Sequence, residues 1–507
     1  MSLASVLSIA TGGLANINRR LNVVSNNVAN ANTPDYSAET SNQVSVVAGS
    51  IGMGVRSEPA TRAVNLAMQQ AAFQQDSIVS GLATTTTALK AIDSVLGTPG
   101  QGNDLPNLLG AAQSAFSALM GDPSSGPLRL GVVNAAGTLT GGINAMAAAY
   151  TQQRQAAQTG ILNAVTSANA SLAQIGTLSS HIIAARGAGM STADLENQRD
   201  AAVHALGAVL SVKALNQPNG DMIITAASGS DLPTRAVSGP LATGSVTIGP
   251  GTTYPTGIPG VLLNGIDITS QLGSGKLGAN IALRDRTLPT FQAELDEFSF
   301  QLSSRFSAQG LNLFTFPDGT IPAGGGAPAQ ASYVGYATAI GVNPAVIADP
   351  SLVRDGTQAI AGSPTGASAF TPNPAGGPAG FNGLISRILT FAFGAEAQTN
   401  VAQPASATAG LGPNGDLIAP YTAPATIAAN ATALVSAQSA VSAAADGRLN
   451  VEQTVQTALT SSLAAASGVN IDQELAQMIQ LQNAYGANAR IISTVQSMFT
   501  QLLQTIP

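Results

Sequence analysis

Apolar residues recur at alternating spacings of three and four near both ends of this chain, and no other feature constrains the fold as much. At the amino end the series runs from Leu3 to Ala31, about four heptads, and at the carboxyl end it runs from Ile471 to Ile506. Such spacing predicts helices that each carry one continuous apolar seam. We therefore expect two terminal coiled-coil helices whose seams cover each other and neighbouring subunits.

The residues predicted to form this assembly interface occupy seam positions or belong to the segment that follows the first helix. They are Leu7, Leu14, Ile17, Leu21, Val24, Val28, Asn30, Asn32, Tyr36, Met478, Leu481, Tyr485, Asn488, Ile492, Val495, Phe499 and Leu502. The alternative is that each helix packs only on its own domain core. The terminal positions and the scarcity of charge between the seams favour partner helices.

Local signals set the limits of both helices. Asn470 can cap a helix that begins near Ile471, and Pro34 disfavours helical backbone at Thr33, so the first helix should end near Asn32. Thr33 to Tyr36 has the residue types of a tight turn. Aspartate at its third position, Asp35, fits a type I turn better than type II.

The middle of the chain contains further helical seams. They are Ile78, Leu82, Thr85, Leu89, Ile92 and Leu96; Ile161, Val165, Ala168, Leu172, Ile175, Ser179 and Ile182; and Leu288, Phe291, Leu295, Phe298 and Leu302. This spacing predicts long shaft helices. Two hairpins are expected between them, at 212–215 with 222–225 around Asn219-Gly220, and at 261–263 with 266–268 around Asn264-Gly265.

The expected fold class is mainly α with β insertions: paired terminal coiled-coil helices, a helical shaft, a β-rich subdomain and a loop-rich outer domain. The predicted segments follow in chain order. They are the amino-terminal axial helix 1–33, a turn and linker 34–60, the first part of the shaft 61–207, the β-rich subdomain 208–275, the second part of the shaft 276–313, the variable outer domain 314–430, the return of the shaft 431–466 and the carboxyl-terminal axial helix 467–507.

Composition narrows the classes of function. Only 9% of the 507 residues are charged and the formal net charge is −7, a weakly charged surface of the kind expected in a protein that packs against copies of itself. The lysines are Lys90, Lys213 and Lys276, so no basic stripe is available for nucleic acid. Cysteine is absent, which excludes disulfides and is compatible with export. Neither a secretory signal nor a membrane-spanning stretch is expected.

No catalytic, cofactor-binding or metal-binding residue is predicted. His181 and His204 lie in helical patterns without carboxylates at metal-ligand spacing, and no phosphate loop or nucleophile elbow occurs. The acids in Arg284-Asp285-Arg286 and Gln198-Arg199-Asp200 are expected to form surface or interdomain ion pairs.

Several motifs resemble the flagellar rod, hook and hook-associated proteins, and most closely the hook-associated branch at the junction of hook and filament. They are Asn27-Val28-Ala29-Asn30-Ala31-Asn32-Thr33-Pro34 with Tyr36-Ser37; Gly52 and Gly54-Val55 with Arg62; Asp122-Pro123-Ser124 with Arg129; Asp194-Leu195 with Gln198-Arg199-Asp200; Gly275; Leu283-Arg284-Asp285 with Leu288-Pro289; and Ser467-Gly468-Val469-Asn470 with Asp472, Glu474, Gln482, Tyr485 and Ala487-Asn488-Ala489-Arg490. The likeness fades between 322 and 430. The family usually has glycine at the position of Asp35 and arginine at that of Ala38.

The resemblance implies a structural subunit of a ring between hook and filament, outside the cell. The partners that it implies are copies of the chain itself, the hook protein, a second junction protein, a cytosolic export chaperone and the flagellar type III export apparatus. Another axial protein, of hook or distal rod, is the nearest alternative, and a secreted adhesin or surface-layer protein is a more remote one. An enzyme domain inserted within 314–430 would need a concave site with convergent polar groups.

Overall fold

In a computed structural model, residues 3–48, 51–97 and 102–504 are described, and they are mainly helical with small antiparallel sheets between the helices. The helices are α1 (Leu3–Ala29), α2 (Leu66–Leu96), α3 (Leu105–Gly121), α4 (Gly126–Gly187), α5 (Ala193–Val209), α6 (Gly275–Ala282), α7 (Leu288–Ala308), α8 (Pro344–Ala348), α9 (Leu352–Asp355), α10 (Gly383–Arg387), α11 (Ile427–Ser467) and α12 (Ile471–Gln504). Short π-helical turns (Leu283–Thr287 and Ile388–Ala392) follow α6 and α10, and 3₁₀ turns occupy Thr269–Gln271 and Tyr336–Thr338. The predicted fold class is confirmed.

The strands are short and form antiparallel sheets of two or three strands, in most of which consecutive strands pair, while β1 pairs with β4 across the β2–β3 hairpin. They are β1 (Glu39–Thr40), β2 (Gln43–Ala48), β3 (Ile51–Ser57), β4 (Thr61–Arg62), β5 (Val212–Asn216), β6 (Met222–Ala226), β7 (Leu241–Ala242), β8 (Leu262–Leu263), β9 (Ile266–Asp267), β10 (Phe314–Thr315), β11 (Gly341–Val342), β12 (Glu396–Gln398), β13 (Val401–Ala402), β14 (Ala409–Leu411) and β15 (Leu417–Ile418).

The predicted shaft helices are present as α2, α4 and α7. The longest, α4, has 62 residues, and the Ser125 side chain caps it by accepting a hydrogen bond from the Leu128 backbone. Asn65 caps α2 in the same way, so that each helix begins where a side chain satisfies one of its free amides. The seam residues of α4 from Ile161 to Ile182 are buried.

Both predicted hairpins are confirmed. Strand β5 pairs with β6, and β8 pairs with β9 through Asn264 and Gly265, whose φ angles are 50° and 86°. Positive φ at both central residues is what a two-residue hairpin loop with matching twist requires, and asparagine and glycine adopt it at least expense. Strand β7 joins β8 to complete a three-stranded sheet.

The segment 34–60, expected as a turn and linker, instead contains the β2–β3 hairpin and lies against α1. Gly54 has a φ of 105°, a backbone conformation that favours glycine, and a Cβ atom there would be in ordinary van der Waals contact with Ile9 of α1 at 3.6 Å. The strand was missed because Val44, Val46 and Val47 do not alternate strictly with polar residues, and period-two alternation is the usual signal for a half-buried strand.

Apolar side chains of the shaft and of the segment 314–430 form one continuous core. Phe306 of α7 packs edge-on against Phe314 and Phe393, with ring centroids 5.0 and 5.3 Å apart, and Phe116 of α3 lies 5.8 Å from Phe306. Tyr336 is also fully buried in this cluster. The segment expected as a loop-rich outer domain therefore supplies part of the shaft's own core.

A second core joins α4, α5 and α6 to the β-rich sheets, and buried arginines tie the two parts together. Arg284 pairs with Asp285 at 2.7 Å and donates to the Gln158 side chain over 2.6 Å. Arg154 donates to the backbone carbonyls of Gly249 and Thr252. The Arg284–Asp285 ion pair joins adjacent residues of one turn, with side chains 0% and 17% exposed, so it is neither a surface pair nor an interdomain pair, and the hydrogen bond to Gln158 is the contact of Arg284 with α4.

In the part of the chain that the structure describes, no helix combines the length and apolarity needed to cross a membrane.

Candidate assembly interface

Helices α1 and α12, from opposite ends of the described chain, pack along each other. Ile17 and Val24 of α1 and Leu481 of α12 are buried in a small apolar cluster, and Leu21 and Met478 pack against it. The sequence seams place these residues on facing stripes. The expectation that the two seams cover each other therefore agrees with the geometry at the middle of both helices.

The other predicted interface residues differ in their exposure. Val495 is buried, and those that are partly buried are Leu7, Leu14, Val28, Asn30, Tyr36, Asn488, Ile492 and Phe499. Asn32 is exposed, and Tyr485 and Leu502 are 40% and 50% exposed, so the single chain does not cover these two side chains. Ile506 lies outside the described residues.

Small and polar residues adjust the spacing of the two helices. A Cβ atom at Gly13 would lie 3.3 Å from the Asn488 side-chain oxygen, so glycine lets α1 approach the polar member of the α12 seam. Asn488 donates to the Ala484 carbonyl of its own helix. The buried Asn16 side chain donates to Gln43 on the β2 strand, which ties the hairpin to α1.

The Asn27 side chain makes four hydrogen bonds where the helix pair meets the shaft, a place that we call the base of the helix pair. Its side-chain nitrogen donates to the Glu39 carbonyl and to the Glu474 carboxylate, each at 2.9 Å. Its side-chain oxygen accepts from the Glu39 backbone amide at 2.9 Å and from the Tyr36 hydroxyl at 3.0 Å. Two donated and two accepted bonds use the full capacity of a side-chain amide, so α1, the following turn and α12 are fixed together.

The same base is attached to the shaft through Ser37. Its backbone amide donates to the Asn197 side-chain oxygen at 3.1 Å, and Asn197 donates back to the Ser37 carbonyl at 3.2 Å. Arg62 donates to Asn197 at 2.7 Å and pairs with Asp200 at 2.9 Å. The neighbouring Ala38 amide donates to the Ser467 carbonyl at the end of α11.

Burial raises the pKa values of two side chains next to Asn27, those of Tyr36 and Glu39. The pKa of the Tyr36 hydroxyl is raised well above its ordinary value by burial, and the carboxylate of Glu39 adds to the effect. Burial likewise raises the pKa of Glu39. Tyr36 is therefore a hydrogen-bond donor at neutral pH, which is the role that Asn27 requires of it.

The turn from Thr33 to Tyr36 corrects one expectation. The Tyr36 amide donates to the Thr33 carbonyl at 3.3 Å, but Asp35 has a φ of 64°. A type I turn needs a negative φ at this third position. Aspartate is one of the few residues other than glycine that adopt left-handed backbone as single residues, and in this conformation the Asp35 carboxylate contacts His204 at 2.6 Å.

Apolar side chains remain exposed on α12 outside the seam with α1. Leu475 and Ile479 are 44% and 59% exposed, and Ile491 and Met498 are 45% and 50% exposed. The first two and the last two fall on opposite flanks of the helix at 3.6 residues per turn. These two flanks are available to other chains.

Sequence reasoning missed Asn27, Glu39, Asn197 and Glu474, because none is apolar and each has its partners far along the chain. The motif around Asn27 and the position of Glu474 in the first turn of α12 were noted, but no local pattern joins them. No three His, Asp or Glu side chains within 3–48, 51–97 and 102–504 are placed to hold a metal ion.

Comparison with known proteins gives three matching families. The family described as "Flagellar hook-associated protein FlgK helical domain" matches residues 89–318. "Flagella basal body rod protein" matches residues 7–36, and "Flagellar basal body rod FlgEFG protein C-terminal" matches residues 462–505. The last two coincide with the regions of α1 and α12.

Hook-associated protein 1 of Salmonella typhimurium and that of Salmonella typhi are each 26% identical over 321 residues, which cover 61% of this chain. The chain spans 56% of the length of these curated relatives. The flagellar hook junction protein FlgK from Burkholderia pseudomallei matches with a TM-score of 0.41 and 23% identity, over 50% of this chain and 45% of that one. The helical-domain match lies in the middle of the chain and the rod-protein matches lie at both ends, so the chain is similar to the FlgK family of flagellar hook-associated proteins along most of its length.

Proposed function

We propose that this chain is a structural subunit of the bacterial flagellum that joins hook to filament. The observation that carries the proposal is the packing of α1 on α12 around Ile17, Val24 and Leu481, which brings both ends of the described chain into one axial element. Both regions match axial rod families, and the middle matches the helical domain of a hook-associated family. The curated Salmonella relatives bear the name of hook-associated protein 1.

The proposed partners follow from this role. They are copies of the chain in a ring, the hook protein on one side, a second junction protein on the other, a cytosolic chaperone and the type III export apparatus. The exposed flanks of α12 support contact with other copies, because a ring needs two different surfaces on each subunit. The proposed location is outside the cell, and the proposed role is structural, without catalysis.

A hook or distal-rod position is the second candidate, because the families that match both ends are rod families. The match of residues 89–318 to the hook-associated helical domain favours the junction. Labelling the native protein with gold-conjugated antibody on isolated flagella distinguishes the positions. A single band of label between hook and filament is expected.

A deletion strain provides the functional half of the test. Loss of this chain should leave hooks in place and release filament protein into the medium, and restoring the chain should reattach filaments. Label spread along the hook, or filaments that remain attached in the deletion strain, would contradict the proposal.

A further inference from the structure

His204 lies where the turn that follows α1 meets the shaft. Its Nδ1 atom is 2.6 Å from the Asp35 carboxylate in that turn, and its Nε2 atom contacts the Asp76 carboxylate on α2. The other oxygen of Asp76 accepts from the Gln456 side chain on α11. The His204 ring also stacks on Phe73, with centroids 5.7 Å apart and 21° between the planes. One imidazole therefore links the turn to three shaft helices.

The two carboxylates require a donor on each ring nitrogen, and only the protonated imidazolium offers two. The hydrogen bonds with Asp35 and then with Asp76 raise the pKa of His204 to about 10, against a smaller opposing effect of burial. His204 is consequently a cation at neutral pH, bound at both nitrogens.

The other charged side chains near His204 have partners of their own. Glu452 of α11 accepts a hydrogen bond from Gln75 of α2, and Asp200, on the same helix as His204, is paired with Arg62. The groups that raise the His204 pKa are Asp35 and Asp76. The partners of the imidazolium are thus one carboxylate from the turn and one from the shaft.

The backbone of Asp35 adds an independent observation. With a φ of 64°, this position favours glycine, which reaches left-handed backbone without strain. An aspartate here keeps a carboxylate at the expense of backbone strain. That carboxylate points to His204, so the side chain supplies the contact that a glycine could not.

Hydrogen bonds of Ser37 and Ala38 to Asn197 and Ser467 already fix the path of the backbone after the turn. The contact between Asp35 and His204 lies nearer to α1 and opposes sideways movement of the turn, because the imidazolium is itself held by α2. Such a charge-assisted pair is stronger than the neutral hydrogen bonds beside it.

We propose that His204 is a positioning residue: bound between Asp35 and Asp76, it acts as a latch that holds the turn from Thr33 to Tyr36 against the shaft and sets the direction in which the α1–α12 pair leaves it. The latch is a property of the single chain. Its use, to present the terminal helices to neighbouring subunits at one angle, rests on the proposed function.

The test uses the full chain, in which the absence of cysteine allows spin labels at two introduced cysteines. Asn18→Cys and Gln174→Cys place the labels at exposed positions of α1 and α4. Distances between them are measured by double electron–electron resonance, together with hydrogen exchange of the amides in 33–38. The latch variants are Asp35→Asn, which keeps size and tolerance of left-handed backbone, and His204→Gln. Asp231→Asn, at an exposed position away from the latch, is the matched control.

Both latch variants should broaden the distance distribution and accelerate exchange in 33–38 by about tenfold or more, the factor expected for loss of a charge-assisted hydrogen bond. The control should match the parent. Nitrogen-15 spectra of the histidines, assigned with His181→Gln, should show a charged His204 at pH 8 in the parent and a lower His204 pKa in Asp35→Asn, in which only Asp76 still raises it. An unchanged distance distribution in both variants, or a neutral His204 at pH 7 in the parent, would overturn the latch.

The gold-labelling and deletion assays separate this result from the proposed function. A parent chain with an intact latch that does not locate to the junction refutes the proposed function and leaves the latch standing. A chain that locates to the junction while its latch variants keep parental distances refutes the latch alone.

Discussion

The Asn27 side chain donates to the Glu474 carboxylate over 2.9 Å, although 447 positions separate the two residues in the chain. Both groups are buried. A buried hydrogen bond to a carboxyl oxygen is among the stronger polar contacts in a protein. It joins the amino-terminal and carboxyl-terminal helices at their base, below the apolar cluster that joins them further along.

Asn27→Ala should loosen this base. The substitution leaves the Glu39 backbone groups and the Glu474 carboxylate without the partner they now have, at about 1–3 kcal/mol for each buried group left unpaired. Hydrogen exchange should accelerate in 33–40 and at the start of α12, while the shaft stays protected. Asn26→Ala, at the exposed neighbouring position, is the control. Equal hydrogen exchange in Asn27→Ala and Asn26→Ala would mean that the hydrogen bonds of Asn27 do not stabilise this region.

Leu481→Asp and Ile479→Asp should separate folding of the helix pair from assembly. Leu481 is 4% exposed and faces Ile17 and Val24, so an aspartate there buries an unpaired charge, which costs several kcal/mol. Thermal melting followed by circular dichroism should show that Leu481→Asp loses helix at a lower temperature than the parent.

Ile479 is 59% exposed on a flank of α12, so Ile479→Asp should melt like the parent and yet fail to support attached filaments. Asn483→Asp, at an exposed position between the two apolar flanks on the side away from α1, should have no effect on either measurement. If Ile479→Asp cells attached filaments normally, that flank would not be a contact between chains.

Protonation of the buried Glu294 side chain should make the free energy of unfolding depend on pH. It is 1% exposed and accepts from Gln438 at 2.9 Å, and burial raises its pKa to about 7 from 4.5. Because the folded value is above the unfolded one, the stabilisation is fully present below pH 4.5 and is lost as pH rises through 7. The free energy of unfolding should therefore fall between pH 5 and 8, by up to about 3 kcal/mol from this group.

Urea unfolding at several pH values measures this slope. Glu294→Gln keeps an acceptor for Gln438 and should flatten the slope by the contribution of one proton. Asp296, whose pKa is also raised to about 7 by burial, and His204, whose pKa is raised from 6.5 to about 10 by its two carboxylate partners, should account for the slope that remains. The exposed Glu58→Gln variant should follow the parent. Identical slopes for Glu294→Gln and the parent would show that Glu294 does not take up a proton on folding in this range.

The apolar half of the interface was predictable because periodicity is a local property. The spacing that includes Ile17, Val24 and Leu481 repeats every turn or two, and the structure buries these residues together. Tyr485 follows the same spacing but is 40% exposed. A seam in the sequence identifies the apolar face of a helix, while the number of chains that cover it depends on partners.

The polar half was not predictable, because a hydrogen-bond network is specified by distances between residues remote in sequence. His204 lies in an ordinary helical pattern, and nothing near it in the chain indicates Asp35 or Asp76. Likewise the large aromatic residues of 314–430 are separated by glycine and proline loops without a period. That composition indicated a peripheral segment, but Phe314 and Phe393 reach the same core as Phe306.

Phe393→Ala provides the last prediction, on the dependence of the shaft on the segment 314–430. Phe393 is 5% exposed, and its ring lies 5.3 Å from Phe306 of α7 and 6.2 Å from Phe116 of α3. Removing a buried aromatic ring costs about 3–5 kcal/mol through lost burial and the cavity left behind. The variant should lower the melting temperature of the whole shaft in one transition, since one core spans both parts.

Ile347→Ala, in the same segment but 57% exposed, should leave the melting temperature within about a degree or two of the parent, as expected for a surface substitution. Deleting 314–430 altogether should uncover Phe306 and Phe116 and give an aggregating protein rather than a trimmed one. Calorimetry that resolved two transitions, with only the smaller one shifted by Phe393→Ala, would show instead that the segment folds as a separate unit on the shaft.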